Sequence, residues 1–185
     1  MTNVKINVLS HKAFDNTMRD FNINDTNVDN KTDLAFISII GTEECLKYYL
    51  HEEDTKHYFN NEHTNVLNLD FDDIGDDIEY DGHTFKTMTM KQAERAVDFI
   101  EDMINKGEGN KTFYIHCRAG MSRSRAFAEF IFRTFNDIAS INYDDRDKYI
   151  NLYNQGIFRR LNHAYWKKHK LFCYSHGEDY DKDLI

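Results

Sequence analysis

Hydrophobic residues follow two different periods along this chain. Short runs of branched and aromatic residues are typical of strands, and hydrophobic residues three or four positions apart are typical of helices that bury one face. The predicted strands are 4–9, 33–40, 65–69 and 111–116, and the predicted helices are 11–21, 42–52, 89–106, 124–135, 143–153 and 156–168. Successive strands and helices predict parallel strand pairing, with a functional site at the carboxyl ends of the strands.

Polar segments separate these elements. Residues 22–31 and 136–142 are interpreted as loops, 53–64 as a solvated helix or loop, and 70–81, the acidic segment, as a loop. The length and the hydrophobic content fit one domain with its own core. We therefore expect a single domain over 1–175, followed by an acidic tail over 176–185.

The composition narrows the expected partners and location. The formal net charge of −9 disfavours broad binding to DNA or to an anionic membrane surface. No hydrophobic run approaches the ~18 residues of a membrane-spanning helix. The three cysteines do not suggest a disulfide framework and suit a reducing cytoplasm, where we expect the protein to act.

The most informative stretch is 114–123, which leads from the end of a predicted strand through a tight turn to the start of a predicted helix. Backbone amides that converge on a helix N-terminus bind anions such as phosphate, and Gly120 permits the sharp turn. The same setting favours the thiolate, which is the nucleophilic form of Cys117. Arg123 offers a planar fork of donors to two phosphate oxygens, and the Ser124 hydroxyl can hydrogen-bond the sulfur as it leaves.

Residues 116–124, His-Cys-Arg-Ala-Gly-Met-Ser-Arg-Ser, resemble the phosphate-binding loop of cysteine-based protein tyrosine phosphatases, most of all their compact dual-specificity branch. A weaker similarity in the order of elements covers 66–135. The resemblance implies an α/β fold with a central, mostly parallel β-sheet and helices on both faces, and catalysis without a metal or other cofactor. His116 would orient the loop from behind. The implied substrate-binding residues are His116, Arg118, Ala119, Gly120, Met121 and Ser122.

Cleavage of a phosphate ester also needs a carboxylic acid that protonates the leaving oxygen. The resemblance places this acid just after the strand 65–69, at Asp73, with Asp72 as the alternative. Because the acidic segment is longer than in compact members of the family, Asp76 stays open as well. A calcium-binding loop is rejected, since one position lacks the required oxygen ligand and another lacks the required bidentate glutamate. The other acidic residues are interpreted as solvated surface.

Other reactive side chains have simpler interpretations. His51, His57 and His63 recur at six-residue steps that do not share one helical face, so they are interpreted as surface histidines rather than metal ligands. Cys45 and Cys173 lie among hydrophobic residues and are interpreted as packing residues.

The implied reaction is hydrolysis of a phosphate monoester through a cysteinyl-phosphate intermediate. Proteins phosphorylated on tyrosine are the expected substrates, and phosphoserine and phosphothreonine stay open. The loop lacks the extra lysines found in phosphoinositide phosphatases. It also lacks the His before the glycine and the Asn-Arg-Thr after it that are found in RNA 5'-phosphatases. These two activities remain alternatives, with an RNA 5' end the weaker option, as do an inactive phosphate-binding module and a sulfurtransferase of the rhodanese type.

Overall fold

A parallel sheet of five strands forms the centre of the protein. The structure is a computed structural model that describes residues 3–49, 56–106, 109–143 and 152–170. The strands are β1 Val4–Ser10, β2 Leu34–Ile40, β3 Val66–Asp70, β4 Ile78–Tyr80, β5 His83–Phe85, β6 Lys111–Cys117 and β7 Ala139–Tyr143. The large sheet has the order β3-β2-β6-β1-β7 with every neighbouring pair parallel, while β4 and β5 form a separate antiparallel hairpin.

Helices cover both faces of this sheet. They are α1 His11–Asp20, α2 Glu43–Tyr49, α3 Met90–Asn105, α4 Arg123–Thr134 and α5 Gln155–His169. Side chains of a strand alternate between the two faces. On one face Phe14 of α1 packs with Phe36 and Phe59, and on the other α3, α4 and α5 enclose the larger core. The predicted α/β fold, with a parallel sheet and helices on both faces, is confirmed.

The topology brings the strand ends together at one edge. In the register of the central strands, Ser10 of β1 pairs with Cys117 of β6, and Ile40 of β2 pairs with Asp70 of β3. The segments that follow these four strands therefore converge at the carboxyl edge of the sheet, where ligands of parallel α/β sheets bind.

The predictions beyond residue 135 need correction. Residues 136–142 are predicted as a loop, but Ala139–Tyr143 form the edge strand β7, which pairs in parallel with β1. The short alternation Ala-Ser-Ile-Asn-Tyr fits such a strand, and the loop prediction overlooked it. The predicted helix 143–153 is wrong at both ends, since Tyr143 ends this strand and residues 152 and 153 are not helical. Its remaining part, 144–151, lies outside the described residues.

The acidic segment contains a hairpin rather than a plain loop. Asp81 and Gly82 both have positive φ, of 50° and 76°, as a two-residue turn between β4 and β5 requires. The hairpin packs on α2, where Tyr48 contacts Tyr80 and Phe85 edge-on at ring distances of 6.1 and 5.5 Å. Its position beside α2 places it next to the carboxyl edge of the sheet.

Residues 56–64 are irregular but are not simply solvated, because Phe59 is fully buried in the smaller core. The end of the predicted helix 42–52, the residues 53–55, Cys173 and the acidic tail 176–185 lie outside the described residues. Within the described residues, every helix is too short or too polar to cross a bilayer.

Candidate active site

The loop between β6 and α4, residues 117–123, is called the cysteine loop below. It lies against the end of β1, where the backbone amide of His11 donates to the carbonyl oxygen of Arg118 at 3.2 Å. Gly120 has a φ of +69°, and a Cβ atom there would lie 2.7 Å from the carbonyl carbon of Leu9. A side chain at position 120 is therefore excluded both by conformation and by space, which confirms the need for glycine at this turn.

The Cys117 side chain lies at the base of this loop. Cys117 is only 3% exposed, and its Sγ lies 3.1 Å from the hydroxyl of Ser124, which is fully buried. The two residues are held by different elements, since Cys117 ends β6 and Ser124 lies in the first turn of α4. This contact is the one expected of a hydroxyl that stabilises a thiolate.

Arg123 brings an unsatisfied donor to the same place. Its Nη1 donates to the carbonyl oxygen of Phe71 at 2.7 Å, which ties the start of α4 to the acidic segment. Its Nε is buried and has no hydrogen-bond partner among the described residues. A buried donor without a partner is costly, and an anion in the cleft would satisfy it.

The N-terminus of α4 keeps its backbone amides available. Ser122 occupies the N-cap position, yet its side chain makes no capping bond within the described chain. Its hydroxyl donates instead to Oδ1 of Asp73 at 2.8 Å. Amides that a cap would otherwise occupy can therefore hydrogen-bond an anion.

The three candidate acids differ in their surroundings. Asp72 is 2% exposed, and its carboxylate accepts three bonds of 2.8 Å, from the amide and the hydroxyl of Thr42 and from the amide of Lys86. Asp73 is exposed, lines the cleft and contacts the cysteine loop through Ser122. Asp76 is also exposed but is not part of the cleft wall.

A cleft of about 290 Å³ opens above the cysteine loop. Cys117, Arg123 and Asp73 line it, so the structure brings the three proposed reacting side chains to one cavity. Its other wall is mainly hydrophobic and is formed by Ile39, Ile40, Leu46, Ile74 and Phe85. Such a wall suits an aromatic or aliphatic group attached to the phosphate.

Cys45 is a second cysteine in this cleft. Burial raises the pKa of its thiol to about 11, and the charge and a hydrogen bond of Asp72 act in the same direction. Cys45 is therefore a protonated thiol at neutral pH and a poor nucleophile.

The remaining predicted binding residues fall into two groups. Arg118, Ala119, Met121 and Ser122 line the cleft. His116 is fully buried behind the cysteine loop, packs on Phe14 at a ring distance of 4.2 Å and does not line the cleft. Burial holds the pKa of His116 well below its usual value, with His11 and His57 acting in the same direction, so the ring is neutral.

The histidines of the segment 53–64 are not simple surface residues. The His57 ring lies 2.6 Å from the Ser38 hydroxyl and 2.9 Å from an oxygen of Asp70. The His63 side chain is 5% exposed and joins Asp25 and Asp29 at 2.9 and 2.8 Å. Among the described residues, no group of three or more His, Cys, Asp or Glu side chains is arranged to hold a metal ion.

Sequence reasoning did not find three residues that support this site. Thr42 fixes Asp72, Arg125 is almost fully buried and donates to the carbonyl oxygen of Gly120 at 3.3 Å, and Asn154 donates to Asp73 at 2.9 Å. Asn154 stands just before a predicted helix, and asparagine is a preferred N-cap. That signal indicates its place in α5 but not its contact with Asp73.

Comparisons with known proteins give only distant similarities. No protein-family model matches the chain, and no curated protein matches it. The crystal structure of human tyrosine phosphatase-like serine/threonine/tyrosine-interacting protein is similar at 22% identity, covering 78% of this chain and 83% of that one, with a TM-score of 0.41. The crystal structure of PTPMT1 in complex with PI(5)P is similar at 12% identity, covering 89% and 94%, with a TM-score of 0.38. Similarities of this size support no conclusion about the activity of this chain.

Proposed function

We propose that this protein is a phosphomonoesterase that hydrolyses phosphotyrosine in proteins through a cysteinyl-phosphate intermediate on Cys117. One observation carries the proposal. Cys117 Sγ, 3.1 Å from the Ser124 hydroxyl, shares its cleft with Arg123, whose buried Nε has no partner within the described chain. A nucleophile beside an unsatisfied cationic donor and a helix N-terminus fits a phosphoryl group.

In the first step the thiolate of Cys117 attacks phosphorus, so that an S–P bond forms and the P–O bond to the leaving group breaks. The developing charge is spread over oxygens bound by Arg123 and by the backbone amides of residues 118–123. Asp73, in its protonated form, gives its proton to the leaving oxygen.

In the second step water attacks phosphorus and the S–P bond breaks. The Asp73 carboxylate accepts a proton from the water, and inorganic phosphate leaves. The Ser124 hydroxyl donates a hydrogen bond to Cys117 as the thiolate is regenerated, since charged acceptors bind such donors most strongly.

The walls of the cleft support a phosphorylated tyrosine as the substrate. Hydrophobic side chains such as Ile40, Leu46 and Phe85 face the cleft and can cover an aromatic ring. The acidic segment exposes Asp76, Asp77 and Glu79, which disfavours substrates with several negative charges such as phosphoinositides and RNA 5' ends.

The test is release of inorganic phosphate, without added metal, from phosphotyrosine, phosphoserine and phosphothreonine peptides, a phosphoinositide and a 5'-triphosphorylated RNA. We expect turnover of the phosphotyrosine peptide that Cys117→Ser reduces by at least about 1000-fold. Cys45→Ser changes the second cysteine of the cleft and should keep the activity.

Other outcomes identify the alternatives. Preference for the phosphoinositide or the RNA would contradict the proposed substrate while keeping the reaction. Binding of the peptides without turnover would indicate a phosphate-binding module. Sulfur transfer from thiosulfate, with no phosphate released from any substrate, would indicate a sulfurtransferase.

A further inference from the structure

Asn154 connects three separate parts of the candidate site. Its Nδ2 donates to Oδ1 of Asp73 at 2.9 Å and to the carbonyl oxygen of Ile74 at 3.4 Å. Its backbone amide donates to the carbonyl oxygen of Ser122 in the cysteine loop at 3.4 Å. Asn154 is also the N-cap of α5 and lies 81 positions from Asp73 in the chain. One residue thus joins the acidic segment, the cysteine loop and the last described helix.

The amide group of Asn154 has a defined orientation. Its Oδ1 accepts from the backbone amide of Ile157 at 3.1 Å, and a backbone N–H can only donate. The oxygen of the amide must therefore face the helix, and Nδ2 must face Asp73. The backbone amide of Ile157 therefore fixes which end of the side chain is the donor to Asp73.

This orientation determines which oxygen of Asp73 can carry the proton. The Nδ2 group is only a donor, so the oxygen that it contacts, Oδ1, must be an acceptor and cannot hold a proton on that side. The Ser122 hydroxyl donates to the same Oδ1 at 2.8 Å. With Oδ1 occupied by two donors, the proton of the acid form lies on Oδ2.

A second contact supports the same segment. Arg160, in the second turn of α5, donates from Nη2 to the carbonyl oxygen of Gly75 at 3.3 Å. Gly156 leaves room for this side chain, because a Cβ there would lie 3.0 Å from Nη1 of Arg160. The start of α5 therefore holds the acidic segment at residues 73–75.

We propose that Asn154 is a positioning residue that directs the proton of Asp73 to Oδ2 and fixes this oxygen toward the leaving group. The inference rests on the proposed phosphomonoesterase function. Asn154 does not touch the reacting atoms, and its effect on the rate passes through Asp73. A leaving group that is a strong base depends on this proton, whereas a weakly basic leaving group departs almost without it.

The test compares Asn154→Ser with the unmodified protein on two aryl phosphates, phenyl phosphate and a fluorinated umbelliferyl phosphate. Serine keeps an N-cap acceptor for α5 but removes the amide donor to Asp73. We expect kcat/KM for phenyl phosphate to fall about tenfold and kcat/KM for the fluorinated substrate to fall less than about twofold. Asn162→Ser, on the same helix, is the matched control and should change neither value.

A double variant separates positioning from a general structural role. If Asn154 acts through Asp73, then Asn154→Ser should cause almost no further loss in an Asp73→Asn background. Equal losses on both substrates, or losses that multiply in the double variant, would overturn the proposal. If the unmodified protein hydrolyses neither aryl phosphate, the proposed function itself is refuted, and this inference with it.

Discussion

A Cβ atom on Gly120 would lie 2.7 Å from the carbonyl carbon of Leu9. The cysteine loop therefore sits directly on the backbone at the end of β1, and Gly120→Ala must push the two apart. We expect this substitution to reduce kcat/KM by about 100-fold, because a displacement of about 1 Å disrupts the geometry of catalysis. Phosphate release measures the loss, and the melting temperature measures the accompanying loss of stability.

Gly82→Ala is the matched control for this substitution. Gly82 has a similar φ, +76°, but a Cβ there meets nothing within 4 Å. The conformational strain should cost roughly 1 kcal/mol of stability and leave the activity unchanged. Equal loss of activity in both variants would contradict the importance of the close contact with β1.

Asp72 and Asp73 should respond oppositely to the same substitution. In Asp72 the amide of Thr42 donates to Oδ1 and the amide of Lys86 donates to Oδ2. Whichever oxygen the amide group of Asp72→Asn replaces, its N–H then faces a backbone N–H, donor against donor. We expect the free energy of unfolding to fall by about 2–4 kcal/mol, as measured by urea denaturation.

Asp73→Asn should leave that stability nearly unchanged, since Asp73 is exposed. It should lower kcat/KM for phenyl phosphate by about 100-fold or more and remove the falling limb of the pH profile at high pH. A profile that keeps this limb would exclude Asp73 as the acid, and Asp76→Asn would then be the next variant to measure.

Ser124→Ala removes the hydroxyl that lies 3.1 Å from Cys117 Sγ. Departure of the thiolate should become the slow step, because the sulfur loses its hydrogen-bond donor. We expect a burst of phenol close to one equivalent, followed by a steady rate reduced by about tenfold. Stopped-flow measurement with an aryl phosphate detects this burst. A uniform slowing without a burst would place the hydroxyl in the first step instead.

The contacts of His63 predict a pH-dependent stability. Burial acts to lower the pKa of His63, but hydrogen bonds with Asp29 and Asp25 outweigh it and raise the pKa above its ordinary value of 6.5. Because the pKa of His63 is raised in the folded state, its contribution to stability is fully present below pH 6.5. This contribution is lost as the pH rises through the pKa that His63 has in the folded protein. The melting temperature should therefore fall as the pH rises above about 6.5.

His63→Gln tests this dependence. The variant should melt roughly 2–4 °C lower than the unmodified protein at pH 6, and the difference should shrink as the pH rises above 6.5. A constant difference at every pH would mean that packing, not charge, accounts for the role of His63.

Several strands, one helix start and the cysteine loop could be predicted from contiguous stretches of the sequence. The strand periods of β1, β2, β3 and β6 are apparent in contiguous residues, and the capping box of Thr89 and Gln92 fixes the start of α3. The cysteine loop belongs to this class as well, because a strand end, a turn glycine and a helix start follow one another within residues 114–124. Neighbours in sequence supply most of the required geometry.

Only the tertiary structure decided what depends on distant partners. Asp72 and Asp73 are adjacent in sequence, yet Thr42 and Lys86 bury one of them, whereas Ser122 and Asn154 orient the other beside the cysteine loop. In the same way, Asp25 and Asp29, from another segment, make His63 a partly buried link between segments rather than a surface residue. The burial and the charged partners of these side chains come from residues that are distant in the sequence. The residues next to them in the chain therefore cannot predict either.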